Sequence, residues 1–368
     1  MITFEKKKRY KLLLISKTQF GYLTDYYFYT KYIGMSYDFE VICYDDNLDK
    51  IKHDFVIVNY IRPKIRYSRI EIFRLIIYGI IAIYKEKPDM IFVEFFSKCF
   101  LIKLFAPANK ILLDIRTGSI GIDEKKRKKA NRRIKFESNF FNYINIVSEN
   151  LKSELNINVR KTMILPVGGN ISKKRNKKKT SAFQILYVGV LNTRRIEDTI
   201  EGLKIYLSDI RGLEKIRYDI VGYGTKDVEK RLKEIVEKNH LTKIVTFHGR
   251  KKVTELDEYY DRADVAVVYI PIIPAYTNQP STKLLEALLK GIPVIATNTK
   301  ENKLLVSEKN GILIEDSPQA FAYGLKKLLD NYDSYNSEDI IKSVSEYDWQ
   351  NITNILKKRI ERIIIGEE

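Results

Sequence analysis

The chain has 368 residues, 45% of them hydrophobic and 12% aromatic, and a formal net charge of +18. That length exceeds what one core usually organises, so two domains are expected. The two cysteines, Cys43 and Cys99, lie in apolar segments and none of the three histidines sits near either. This argues against a disulfide framework and against a zinc site. The charge is uneven: residues 1–180 hold 37 Lys+Arg against 18 Asp+Glu, net +19, while residues 181–368 hold 28 against 29, net −1. A polyanionic partner or a solvated basic face would each account for that asymmetry. An anionic membrane surface fits the first description. No nucleic-acid module is recognisable, so nucleic acid is not an expected partner.

The amino terminus, "MITFEKKKRYKLLLIS", has a basic flank but only four consecutive apolar residues, which argues against a signal peptide. In the first half, short apolar runs at 11–16, 39–44, 55–59, 90–94, 111–115, 144–148 and 162–166 read as strands. Helical patterns separate most of them, notably 67–86 and 124–141. The most apolar run, 70–84, is too short to span a bilayer and contains Glu71 and Arg74; it reads as a buried helix. The 124–141 pattern is basic on one side, with Ile134, Phe136, Phe140 and Phe141 elsewhere. It suits a helix resting on anionic lipid, or a packed helix with a solvated basic face.

The segment 171–182, "ISKKRNKKKTSA", is basic and has no apolar period, so it reads as a linker. The alternation then resumes. Strands are expected at 184–188, 218–221, 244–248, 265–269, 294–296 and 311–314, and helices at 196–207, 226–238, 254–262, 282–290 and 318–331. A helical pattern around Trp349 closes the chain at 348–365. Continuously apolar strands separated by helices indicate parallel sheets covered on both faces. The expected fold is therefore α/β, with two doubly wound Rossmann-like domains facing each other across a cleft. The expected boundaries are 1–171, a linker at 172–182, 183–346, and a C-terminal helix at 347–368 that crosses back to the first domain.

The second half carries the motifs "ILYVGVLNTRRIEDTIEGL", "YDIVGYGTKDVEKRLKEI", "VTFHGRKKVTELDEYYDRADVAVVYIP", "QPSTKLLEALLKGIPVIAT" and "NGILI". In this order and spacing they resemble the nucleotide-sugar half of retaining GT-B glycosyltransferases of family 4. The likeness covers about residues 184–330 well. The first half is similar more loosely, best over "LLDIRTGSIG…VSENLKSEL…KTMILPVGGN". The resemblance implies a glycosyltransferase that moves a sugar from a nucleotide-sugar donor to a glycan or lipid-linked acceptor. It implies cell-surface polysaccharide synthesis, such as a capsule, with the enzyme cytoplasmic or peripheral on the inner membrane face. The alternative is a non-catalytic GT-B subunit that binds a partner glycosyltransferase or a glycan.

The site residues follow from the same resemblance. A helix N-terminus binds phosphate through its free N–H groups, so Ser281 and Thr282 would face the donor diphosphate. Glu286 would accept from the ribose hydroxyls, and Lys283 would face the phosphates or support Glu286; a surface Lys–Glu pair is the plain reading of that spacing. Many family members have a Glu where this chain has Asn278, and an Arg where it has Val190. Arg195, with Arg194 beside it, takes the place of the phosphate-binding Lys. Gly249 and Arg250 stand where loops approach the base, or are ordinary turn residues. Gly21 would allow close backbone approach to the diphosphate. Asp114 and Arg116 stand where the family often has a sugar-contacting His, and Asp114 reads equally well as a cap. Arg195, Glu286 and Asp114 are thus the catalytic candidates. No cofactor and no metal is expected: no Asp-x-Asp occurs to hold a metal-bound diphosphate.

Overall fold

The computed structural model describes residues 9–65, 68–158, 160, 162–171, 181–209, 215–251 and 255–368. The core of the expected linker, 172–180, lies outside the described residues. The chain divides into two compact units, Met1–Val167 with Trp349–Glu368, and Gly168–Asp348.

The first unit runs β1 (Tyr10–Ser16), α1 (Thr24–Ile33), β2 (Tyr37–Tyr44), β3 (Val56–Ile61), α2 (Arg69–Glu86), β4 (Met90–Glu94), α3 (Phe100–Phe105), β5 (Ile111–Ile115), α4 (Glu124–Ser138), β6 (Tyr143–Ile146), α5 (Glu149–Leu155) and β7 (Thr162–Ile164). Its seven strands are parallel, in the order β3-β2-β1-β4-β5-β6-β7. β4 and β5 are buried at every position, which is why they read as unbroken apolar runs. Side chains start the helices: Ser68 accepts from the Glu71 amide, Asp123 from Lys126 and Ser148 from Leu151.

The second unit runs β8 (Phe183–Val190), α6 (Ile196–Asp209), β9 (Ile216–Tyr223), α7 (Lys226–Lys238), β10 (Val245–Gly249), α8 (Leu256–Arg262), β11 (Val265–Val268), α9 (Thr282–Leu288), β12 (Val294–Thr297), α10 (Asn302–Leu305), β13 (Gly311–Ile314), α11 (Pro318–Asp330) and α12 (Ser337–Ser343). Its sheet is also parallel, ordered β10-β9-β8-β11-β12-β13. Gly202 on α6 meets α11 where a Cβ would lie 2.5 Å from the Pro318 carbonyl oxygen, so only a glycine permits that approach.

The last helix, α13 (Trp349–Ile365), belongs to the first unit. Trp349 stacks on Phe28 of α1 at 5.0 Å between centroids, and Ile352, Leu356, Ile360 and Ile363 join the same core. Buried Arg359 donates to the Ile144 carbonyl and to Asn145 Oδ1, at 2.9 and 2.6 Å.

The structure corrects the reading of 70–84 as a buried helix. α2 packs only one side on the sheet, through Leu75, Ile76 and Ile83, with Gly79 admitting Ile15. Its other side leaves Ile70, Phe73, Ile77, Ile81 and Tyr84 exposed. Among the described residues no helix is long and apolar enough to cross a membrane.

Candidate functional site

In a doubly wound sheet, ligands bind beyond the carboxyl ends of the strands where the strand order reverses. In the second unit that point lies between β8 and β11, so the loops after these strands form the crevice. The loop after β8 holds Thr193, Arg194 and Arg195. Thr193 and Arg195 adopt left-handed backbone, φ 59° and 52°. Such a φ is a genuine outlier for a β-branched residue like threonine and persists only where its surroundings enforce it. The enforcing contacts are visible. Tyr276, in the loop after β11, donates to Thr193 Oγ1 at 2.8 Å, and its ring lies 4.4 Å below the Arg194 guanidinium. Arg195 pairs with Asp198 at 2.8 Å and with Asp316 at 3.2 Å, and Asp316 also accepts from the Ile272 amide. Tyr269 donates to Asp198. Burial raises the Asp198 carboxyl above its usual range, while the Tyr269 bond opposes the rise. Arg195 is therefore braced by two carboxylates. Arg194 Nη1 is buried with no hydrogen-bond partner in the protein, which leaves it a donor for an anion.

The loop after β11 leads through buried Asn278 to α9. Ser281 caps that helix, accepting from the Leu284 amide at 3.4 Å, and Thr282 opens it. Lys283 Nζ lies 2.8 and 2.7 Å from the two Glu286 oxygens, so it supports Glu286. Tyr260, on α8, donates to Glu286 at 3.0 Å. Burial and the adjacent Glu286 charge push the Tyr260 hydroxyl well above its usual range, so it stays a donor. The Glu286 side chain remains 23% exposed. At the end of β10, Gly249 has φ +67° with nothing near its missing Cβ, so backbone conformation alone requires the glycine there. Arg250 beside it lies 4.7 Å over the Tyr223 ring at the end of β9.

The first unit has its own crevice at the β1/β4 reversal. A cavity of about 250 Å³ is lined there by Lys17, Glu94, Ser97, Asp114, Arg116 and Arg133, among others. Asp114 lies within β5, paired to β4, and caps no helix, which removes that reading. It is fully buried beneath the cavity, 3.8 Å from Arg116. Burial raises its carboxyl to about 7, with Arg116 opposing and Asp25 adding to the rise. Arg116 is itself buried against Asp25 and donates to the Leu165 carbonyl at 2.6 Å. Both residues thus form a floor. Burial also raises the Glu94 carboxyl, against the pull of Lys17. Gly21 has φ +90°, and a Cβ there would lie 2.3 Å from Ile51 Cδ1. The close approach that Gly21 serves in the structure is that of Ile51.

Sequence reasoning missed Tyr260, Tyr276, Asp198 and Asp316. Each reaches the site from a different loop or helix, and only the sheet order brings them to Glu286, Thr193 and Arg195. Among the described residues, no three His, Cys, Asp or Glu side chains gather as a metal site.

Residues 182–331 match the model of the family described as Glycosyl transferases group 1. No curated protein matches the chain. Among solved structures, the chain is similar to sucrose-phosphate synthase from Thermosynechococcus elongatus, with TM-score 0.76 and 16% identity over 97% of this chain and 100% of that one. It is similar to HepE from Anabaena in complex with UDP and glucose, with TM-score 0.75 and 14% identity over 96% and 100%. It is also similar to the lipopolysaccharide outer core galactosyltransferase WaaB, with TM-score 0.68 and 14% identity over 98% and 100%. Two parallel Rossmann-like sheets with these likenesses are the GT-B fold, and the family match falls on its second sheet, within residues 182–331.

Proposed function

We propose that the protein transfers a sugar from a nucleotide-sugar donor to a glycan or lipid-linked acceptor, with retention of configuration, in cell-surface polysaccharide synthesis at the inner face of a membrane. The observation that carries this reading is the glycosyl transferases group 1 match, together with Arg194, Arg195 and Glu286 on the carboxyl-end loops and helix of the matched sheet. HepE, a protein of similar fold, is complexed with UDP-glucose in one of its structures, which supports a donor of that class here.

In this reading Glu286, steadied by Lys283 and Tyr260, accepts from the ribose hydroxyls. Arg194 donates to the diphosphate, and Arg195, braced by its two acids, sets the loop that presents Arg194. Ser281 and Thr282 offer the start of α9 to the same phosphates. Asn278 borders the sugar, where an amide can hydrogen-bond a hydroxyl without carrying charge. Gly249 and Arg250 border the base. Asp114 and Arg116 shape the acceptor side from beneath. Charge builds on the diphosphate as the glycosidic bond breaks, so a cation held there lowers the barrier. The departing phosphate takes the acceptor's proton, and no separate base is needed.

A panel of nucleotide sugars screened by thermal shift tests the reading. A true donor raises the melting temperature because it binds the folded chain alone. Product formed from that donor is then examined by NMR for the anomeric configuration. A donor that binds and never turns over would support a non-catalytic subunit, a reading that the acids on Arg195 and the Val190 departure favour. No shift with any nucleotide sugar counts against both.

A further inference from the structure

We propose that the exposed face of α2, continued over α3 and the end of α4, is a docking surface for a bilayer that carries anionic headgroups. The ridge on α2 is Ile70, Phe73, Ile77, Ile81 and Tyr84, spaced by three or four residues and therefore on one side of the helix. Their exposures are 71, 39, 53, 57 and 61%. A helix apolar on both sides normally lies inside a core. Here one side rests on the sheet and the other is left exposed, with no cover among the described residues of the first unit.

The ridge does not end with α2. Tyr84 donates to the Phe105 carbonyl at 2.7 Å, and Leu104 and Phe105 are themselves more than half exposed. Phe100 at the start of α3 packs against Phe136 and Phe140 at 6.0 and 4.8 Å, which carries the apolar strip onto the end of α4. A continuous patch of this kind marks an interaction surface.

Charge decides the occupant. The two acids of α2 are withdrawn from the ridge: Glu71 is buried against Arg74, and Glu86 pairs with Lys11 and Lys85. Cations take the flanks. Lys98 Nζ sits 4.0 Å over the Phe73 ring, and α4 exposes Lys125, Lys126, Lys128, Lys129, Arg132 and Arg133. A second copy docked ridge to ridge would set these basic flanks against each other, which is repulsive. An anionic lipid surface instead pairs with the cations while the acyl region takes up the ridge. The helix of 18 residues is about 27 Å long and has charged ends, so it would lie in the interface plane. The proposal deepens the proposed function by bringing a lipid-linked acceptor's membrane to the first unit. It rests on that reading only for its purpose, because vesicle binding is measured without any donor.

The test is co-sedimentation of the full chain with vesicles of phosphatidylcholine alone and of phosphatidylcholine with phosphatidylglycerol. The wild type should bind the anionic vesicles, less so as salt is raised, and leave the neutral ones free. The triple variant Phe73→Ser, Ile77→Ser, Ile81→Ser should lose at least about tenfold in partitioning, the expected size for three apolar side chains withdrawn from lipid. Changing Lys125, Lys126, Lys128 and Lys129 to Gln should weaken binding and flatten its salt dependence. These side chains are exposed, so circular dichroism melts should match the wild type. As a second readout, a polarity-sensitive dye on Ile77→Cys should shift to the blue on anionic vesicles; the native Cys43 and Cys99 are buried and stay unlabelled. The proposal is overturned if the wild type stays free of anionic vesicles, or if the triple variant binds as well as the wild type. It is equally overturned if sedimentation velocity shows a dimer that the triple variant splits. Donor-induced thermal shift is read in solution, so a wild type that shows the shift and stays free of anionic vesicles rejects this surface and leaves the proposed activity standing.

Discussion

Glu286 shows how a single spacing was legible and its surroundings were not. The three-residue interval from Lys283 announced the pair that the structure contains, since residues three apart share a helix side. Tyr260 did not announce itself: it lies 26 positions away and meets Glu286 only because α8 and α9 flank the same sheet. Under the proposed function, Glu286→Gln should lower kcat/KM for the authentic donor about ten- to a hundredfold, the range expected for hydrogen bonds to a charged acceptor. The fold should stay intact, and steady-state kinetics with the donor found by thermal shift would check both. Unchanged kinetics would reduce Glu286 to a surface pair. Asp114 offers a test that needs no substrate. Its folded carboxyl keeps its proton to about pH 7, whereas the unfolded one, at the ordinary value of 3.8, has lost it well below that. The unfolded chain therefore binds fewer protons between about pH 4 and 7, and this residue's contribution to stability falls as pH rises through that window. Asparagine does not titrate. Melting temperatures of Asp114→Asn should gain on the wild type from pH 5 to pH 8, and parallel curves would contradict the raised carboxyl.

At the scale of elements, the strands were the readable part, because parallel strands buried on both faces are unbroken apolar runs. The runs at 90–94 and 111–115 coincide with β4 and β5. Helix faces were less readable. The run 70–84 is apolar all round, so periodicity carries no information about which side meets the sheet, and the exposed ridge of α2 was invisible in it. The basic pattern at 124–141 drew attention to α4 instead, where Arg127 and Ile134 turn inward and the exposed lysines outward. The helix around Trp349 was legible as a helix, and its packing gives a sharp test. Trp349 is the only tryptophan of the chain, buried between Phe28 and Tyr29. Truncating a buried tryptophan leaves a large cavity, so Trp349→Ala should destabilise by about 3–5 kcal/mol. Urea unfolding followed by circular dichroism would measure this, since the variant has no tryptophan fluorescence. A loss below about 1 kcal/mol would mean that α13 adds little to the first unit's core.

At the scale of the whole molecule, the proposed function raises the question of where the positive charge for the leaving group would come from. A departing nucleoside diphosphate gains charge as its bond to the sugar breaks, and either a bound metal or fixed protein cations can meet it. The sequence is strongly basic, but its net excess lies in residues 1–180, while the residues that match the glycosyl transferases group 1 model sit in the nearly neutral remainder. Under the proposed function, local placement rather than bulk charge would supply it: the strained loop after β8 presents Arg194 with an unbonded donor, steadied from below by Tyr276 and from the side by the braced Arg195. Such a loop is preformed, so it needs little rearrangement when charge develops. Transfer should then continue at nearly its full rate in excess EDTA, measured with the donor identified by thermal shift. Arg194→Ala should lose about a hundredfold or more in kcat, the scale set by removing one preorganised donor from a developing anion. Its donor affinity should change less, because the contact strengthens in the transition state. Abolition of transfer by EDTA with recovery on Mn²⁺, alongside a fully active Arg194→Ala, would assign the charge to a metal and leave the loop with a purely structural role.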